Sequence, residues 1–140
     1  MTIELIPLTT ATIRLREPMV LPNTPSGTRM IVEVASAVYK GDRLSGKLKG
    51  AAAADWMTLA PDGTGTLDVR GTLETDDGAL VYSFYQGRLD LSQPLGEAHI
   101  YAAPLYETGD ERYTWLNKVQ AVAKGTTDGQ TLNYEIYELR

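Results

Sequence analysis

Cysteine is absent from this 140-residue chain, which excludes disulfides and thiolate zinc sites. That absence fits a reducing compartment, and a cytoplasmic location is the expectation. Histidine is nearly absent too. His99 stands alone, so neither a His-rich metal site nor a Ser-His-Asp triad is expected, and no metal is assigned. Basic residues are in deficit: 13 Lys and Arg against 18 Asp and Glu give a formal net charge of -5. Such a balance argues against nucleic acid and against an anionic membrane surface as partners. No apolar run approaches the roughly 20 residues of a membrane-spanning helix. The opening MTIELIPLTT lacks a basic segment ahead of an apolar one, so no secretory signal is read there. Helical periodicity is missing as well. Ala51 to Ala54 is helical in composition but too short to hold a helix alone, and it reads as a crossover where small side chains let backbones approach.

What the chain has is strand periodicity. From Thr64 to Glu74, Leu67, Val69, Gly71 and Leu73 point one way, while Thr66, Asp68, Arg70 and Thr72 point the other. Thr75-Asp76-Asp77-Gly78 turns this strand into a second one, Ala79 to Gln86, because Gly supplies the positive φ of a hairpin turn. Shorter strands are read at Ile3–Leu8, Ala11–Leu15, Thr28–Ala37, Leu44–Lys49, Asp55–Leu59, His99–Leu105, Lys118–Lys124 and Leu132–Tyr137. Pro18, Pro22 and Pro25 mark a loop. Eight to ten strands at this turn spacing predict an all-β chain, either a barrel or a sandwich. The long hairpin favours a single antiparallel barrel over residues 1–140, since closure removes exposed edges.

The polar row holding Asp68 and Arg70 is either wet surface or the lining of a polar pocket. Trp56 and Trp115 are candidates for pocket walls or for plain core. Eight Tyr against one Phe bring hydroxyls into otherwise apolar places. Tyr82, Tyr85, Tyr101, Tyr106, Tyr113, Tyr134 and Tyr137 lie on or beside expected strands, where they suit a flat, partly polar ligand in a lumen or else a dimer interface. Asp76 and Asp77 are explained by their turn.

The run Leu44-x-Gly46 with Ala54-Asp55-Trp56, the segment from Leu67 through Asp68, Arg70, Thr75-Asp76-Asp77-Gly78 and Tyr82, and Pro104-x-Tyr106-Glu107-Thr108-Gly109 with Tyr113-x-Trp115-Leu116-Asn117 resemble the DUF3237 (UPF0311) family. The resemblance covers nearly the whole chain. It implies a small antiparallel barrel of the calycin or allene-oxide-cyclase type that assembles as a homo-oligomer, a dimer or higher. Ala35-Ser36 departs from a Gly-Gly in that family, and Ile100-Tyr101 from an aromatic-Arg pair. Surface pairs seldom define a family motif, so the resemblance favours a lumen-facing Asp68 and Arg70.

These readings lead to a small-molecule pocket protein with no cofactor. The favoured form is an enzyme of isomerase, cyclase, hydratase or lyase type acting on a small hydrophobic or aromatic metabolite. Asp68 is the expected proton acceptor, Arg70 the group that polarises an oxygen or holds a carboxylate, and Tyr82 or Tyr101 the donor. Trp56 and Trp115 would wall the pocket and Asn117 orient a carbonyl. The alternatives are a metabolite-binding barrel without catalysis and a structural protein with a filled barrel.

Overall fold

Period-2 alternation becomes the wall of a closed barrel. The computed structural model describes residues 1–140. Its strands are β1 (Leu5–Leu15), β2 (Met19–Thr24), β3 (Gly27–Lys40), β4 (Gly46–Leu48), β5 (Ala54–Leu59), β6 (Thr64–Thr75), β7 (Leu80–Asp90), β8 (His99–Ala102), β9 (Leu105–Glu107), β10 (Ala121–Thr127) and β11 (Thr131–Leu139). The only helical segment is a five-residue 3-10 turn, Thr114–Lys118. All pairings are antiparallel. β4 and β5 lie end to end between β3 and β6, and β8 and β9 share a place beside β7. The β6–β7 and β1–β11 pairings complete the circuit, giving eight staves.

Apolar faces turn inward, as they must in a barrel whose interior is filled by side chains. Leu8, Ala11 and Ile13 of β1, Leu67 and Leu73 of β6, and Val81 and Leu89 of β7 are buried in one continuous core. One end is closed. There the segment after β9 carries Leu116, which is completely buried and belongs to the same core as Leu8 and Leu44. The other end is the mouth, where β1 finishes and β6 begins.

Three expectations need correction. The Pro-marked loop contains β2, because Met19, Val20 and Leu21 pair with the first residues of β3; Pro18 and Pro25 bracket this ribbon rather than prevent it. β7 does not end at Gln86 but runs to Asp90. Gly87 lies inside it at a close approach, where a Cβ would press on the Tyr101 carbonyl and meet Ala102 at 3.2 Å. The strand expected over His99–Leu105 breaks at Ala103-Pro104, where proline cannot donate to a ladder. Ala35 occupies a register shift between β1 and β3, which pair Arg14 with Ser36 and Leu15 with Val34.

Candidate functional site

A cavity of about 200 Å³ occupies the mouth half of the lumen. Its wall is hydrocarbon over most of its extent, from residues such as Ile13, Val32, Met57, Leu67, Leu89 and Ile100. Asp55 is the one carboxylate on that wall. The alternation of β5 places it there: Asp55 lies opposite Val69 of β6, whose apolar face is inside, and Met57 follows in the same phase. Burial pushes the Asp55 carboxyl up to about 6. The Asp68 backbone N–H, which donates to Asp55 Oδ1 at 3.0 Å, acts against that rise, and the Asp68 charge adds to it. A half-buried carboxyl balanced near neutral pH can take or give a proton.

Deeper in the lumen come hydroxyls. Tyr85 borders the cavity and also two smaller voids of about 30 and 10 Å³ beyond it. Tyr39 and Ser83 line both inner voids, and Tyr106 and Tyr134 line the innermost. Small residues make room for these rings. Tyr39 and Tyr134 flank Ala11 from either side of β1, and their other cross-strand partners are Gly46 and Gly125. The rings of Tyr85 and Tyr134 meet edge to face, with centroids 5.8 Å apart. Burial pushes Tyr39 up to about 12 and raises Tyr85, Tyr106 and Tyr134 as well. The Asp55 charge contributes to the rise at Tyr85 and Tyr134. All four therefore stay protonated donors at neutral pH.

The residues nominated from sequence sit elsewhere. Asp68 and Arg70 are exposed on the outer face of β6, with Leu67 and Leu73 turned into the lumen. This overturns the lumen-facing reading: the apolar face of β6 has its partner inside the barrel and needs none outside. The Arg70 guanidinium lies over the Trp56 ring at 4.6 Å, so both belong to an outer cation–π contact. Tyr82 stacks on Phe84, also on the outer side of β7. Tyr101 is exposed beside Lys124. Trp115 lies at the closed end beneath the Arg43 guanidinium, 4.8 Å from its ring. Asn117 clasps Thr108: its Oδ1 accepts from the Thr108 N–H at 2.8 Å, and its Nδ2 donates to the Thr108 carbonyl at 2.9 Å. None of these seven residues lines the mouth cavity. Of the tyrosines noted on expected strands, Tyr85, Tyr106 and Tyr134 do face the lumen, and Tyr39 joins them. The residue that sequence reasoning missed as a site is Asp55. Its signal was its phase with Met57 and Leu59, blurred by the apolar Ala54 and Trp56 on the opposite face.

The family described as "Protein of unknown function (DUF3237)" matches residues 3–139. The chain belongs to that family. Among curated relatives, a UPF0311 protein of Rhodopseudomonas palustris (strain TIE-1) is 31% identical over 103 residues, covering 65% of this chain and 67% of the relative. Another UPF0311 protein, from Bradyrhizobium diazoefficiens, is 26% identical and covers 93% and 92% of the two chains. Among solved structures, a beta-barrel like protein from Acinetobacter baumannii AYE superposes with a TM-score of 0.88 at 26% identity, covering 100% of this chain and 98% of the other. A protein described as an enzyme from Penicillium herquei superposes with a TM-score of 0.71 at 22% identity, covering 99% and 94%.

Several residues that carry the DUF3237 resemblance build the closed end. Asp77 accepts from the Thr75 hydroxyl at 2.6 Å and from the Tyr113 hydroxyl at 2.8 Å, which hold its carboxyl below the usual range. Arg112 donates to the Asp77 carbonyl at 2.8 Å and pairs with Asp110. Thr108 and Asn117 pin the next loop. The Asp-Asp-Gly turn, its partners and the plug over the lumen therefore form one latch. Asp55 differs from them: it belongs to the same resemblance and opens onto the cavity.

Proposed function

We propose that this protein is an enzyme that needs no cofactor and acts on a small hydrophobic or aromatic metabolite held in the barrel, by proton transfer of the isomerase, cyclase, hydratase or lyase type. The observation that carries the reading is a lone carboxyl, tuned toward neutral pH by burial, at the wall of an otherwise apolar cavity. Ionised Asp55 would take a proton from the ligand: an O–H bond forms on the carboxylate, and the electron pair of the broken C–H or O–H bond stays on the ligand. The Tyr85 hydroxyl, on the inner side of the same cavity, would donate a hydrogen bond to the charge that develops. Asp55 then returns the proton at a second atom. The apolar wall strengthens both contacts by excluding water. Arg70 has no part in this scheme, and no cation lines the mouth cavity, so an uncharged ligand is the fitting one. The fold supports the reading by analogy, since a Penicillium herquei barrel of this shape is described as an enzyme.

Hydrogen–deuterium exchange tests it. Cyclic ketones such as 2-tetralone are incubated with the protein in D2O, and exchange next to the carbonyl is followed by NMR. The expected result is exchange faster than in buffer, lost in Asp55→Asn while binding persists. Binding without faster exchange across a set of such carbon acids would favour the non-catalytic binding reading.

A further inference from the structure

Two hydroxyls at the inner end of the lumen make no well-formed hydrogen bond. Tyr106 and Tyr134 are 4% and 3% exposed, and neither phenolic oxygen has a partner in hydrogen-bonding geometry, the Tyr134 hydroxyl lying toward that of Tyr85. A buried hydroxyl left without a bond is costly, and here two of them border the same void of about 10 Å³. That space suits one oxygen atom: about 10–15 Å³ is the smallest that holds a water molecule, which would also need two or more polar partners. Tyr39 and Ser83 line the same void and supply further hydroxyls.

The three empty spaces share walls. Ile13 and Tyr85 border all of them, and Tyr39 and Ser83 border both inner ones. The lumen thus tapers from a wide hydrocarbon mouth to a narrow end dressed with hydroxyls. All the phenols there stay protonated near neutral pH, so they offer hydrogens and ask for an acceptor. A charged acceptor is disfavoured because no cation faces this end: the guanidinium of Arg70, whose residue borders the middle void, lies outside over Trp56.

We propose that this inner end is an acceptor-oxygen subsite. It receives the carbonyl oxygen of an uncharged ligand whose hydrocarbon body fills the mouth, with Tyr106 and Tyr134 as donors. The inference rests on the reading of the lumen as a ligand pocket and names what that pocket selects: a neutral ketone or similar carbonyl compound over the hydrocarbon of the same shape. A developing negative charge on that oxygen would be met by these donors together with Tyr85, which borders the same void.

The test uses a pair of probes that differ by one oxygen. Tetralin and 2-tetralone are titrated by calorimetry into the wild-type protein, Tyr106→Phe, Tyr134→Phe and the double variant. The ketone is expected to bind at least about tenfold more tightly than the hydrocarbon, the gain of one satisfied donor set. Each single variant should reduce that preference and the double variant remove it, with tetralin affinity unchanged. Because the hydroxyls make no well-formed hydrogen bond, Phe should leave the fold intact, which cooperative urea unfolding checks. Independently of any variant, the 13C carbonyl resonance of labelled 2-tetralone bound to the wild type should lie downfield of its position in cyclohexane. A preference that survives in the double variant, equal affinity for the two probes, or a carbonyl shift like that in cyclohexane would overturn the subsite while leaving the pocket reading in place. Binding of neither probe would overturn both.

Discussion

An aspartate surrounded by carbon is easier to protonate than to ionise, and Asp55 shows the consequence for stability. Its folded-state value, about 6, lies above the unfolded value near 3.8. The folded state therefore favours the proton more than the unfolded chain does. Stability from this group is complete below the unfolded value and is lost as the pH rises through about 6. The difference between the two values corresponds to about 3 kcal/mol. Asp55→Asn keeps a carbonyl oxygen to accept from the Asp68 N–H but carries no charge. Its stability relative to wild type should thus rise by about 2–3 kcal/mol between pH 4 and pH 8. Urea unfolding at the two pH values measures it, and a difference that stays flat with pH would mean that Asp55 ionises as freely as it does in water. A gain in stability on removing a functional charge is what a site tuned for chemistry would show.

At the level of strands and turns, two glycines show opposite demands of the backbone. Gly78 has φ +91 and nothing within 4 Å of where a Cβ would sit. Gly78→Ala should cost only the strain of a left-handed residue, about 1 kcal/mol, and leave the lumen undisturbed. Gly125 is the opposite case. A Cβ there would lie 2.6 Å from the Tyr134 ring and 2.8 Å from the Asn133 carbonyl. Gly125→Ala should cost about 1–3 kcal/mol by overpacking and displace Tyr134. Urea unfolding gives the two costs, and the ring resonances of Tyr134 should move in Gly125→Ala but not in Gly78→Ala. The same elements show what the sequence could and could not disclose. Strict alternation from Leu67 to Leu73 made β6 legible, and Asp76-Asp77-Gly78 made its turn legible. The direction in which β6 faces was not legible, because alternation gives two faces without saying which encloses the lumen; the apolar one does, and Asp68 and Arg70 went outside with the other. On β5 the alternation itself was obscured. Six residues with Trp56 on one face and Met57 on the other give no clear apolar side, so Asp55 could be placed only once Val69 was seen opposite it.

At the scale of the whole molecule, closure makes the β1–β11 seam one pairing among eight. The seam extends past both strands: the Glu4 N–H donates to the Arg140 carbonyl at 2.7 Å, and the Arg140 N–H to the Glu4 carbonyl at 3.1 Å. A short Gly-Ser linker from Arg140 to Met1 therefore spans little distance and closes a small loop at modest entropic cost. New ends can be opened between Gly50 and Ala51. Both residues are exposed, Gly50 has nothing near its Cβ position, and Ala51 keeps its carbonyl bond to the Ala53 N–H at 2.9 Å. The cut falls between β4 and β5, which already share one stave as separate pieces and are each held by β3 and β6. The permuted chain should therefore give the far-ultraviolet circular dichroism of the parent and unfold in urea in one cooperative transition with a similar m-value, since the same surface is buried. It should also keep the elevated Asp55 titration, read from the 13C carboxyl resonance, because β5, which carries Asp55, stays paired with β3 and β6. A permutant that folds but titrates Asp55 near 4 would show that the β4–β5 connection, and not the barrel wall alone, sets the environment of that carboxyl. Loss of the cooperative transition would show that continuity of that connection is needed to close the sheet.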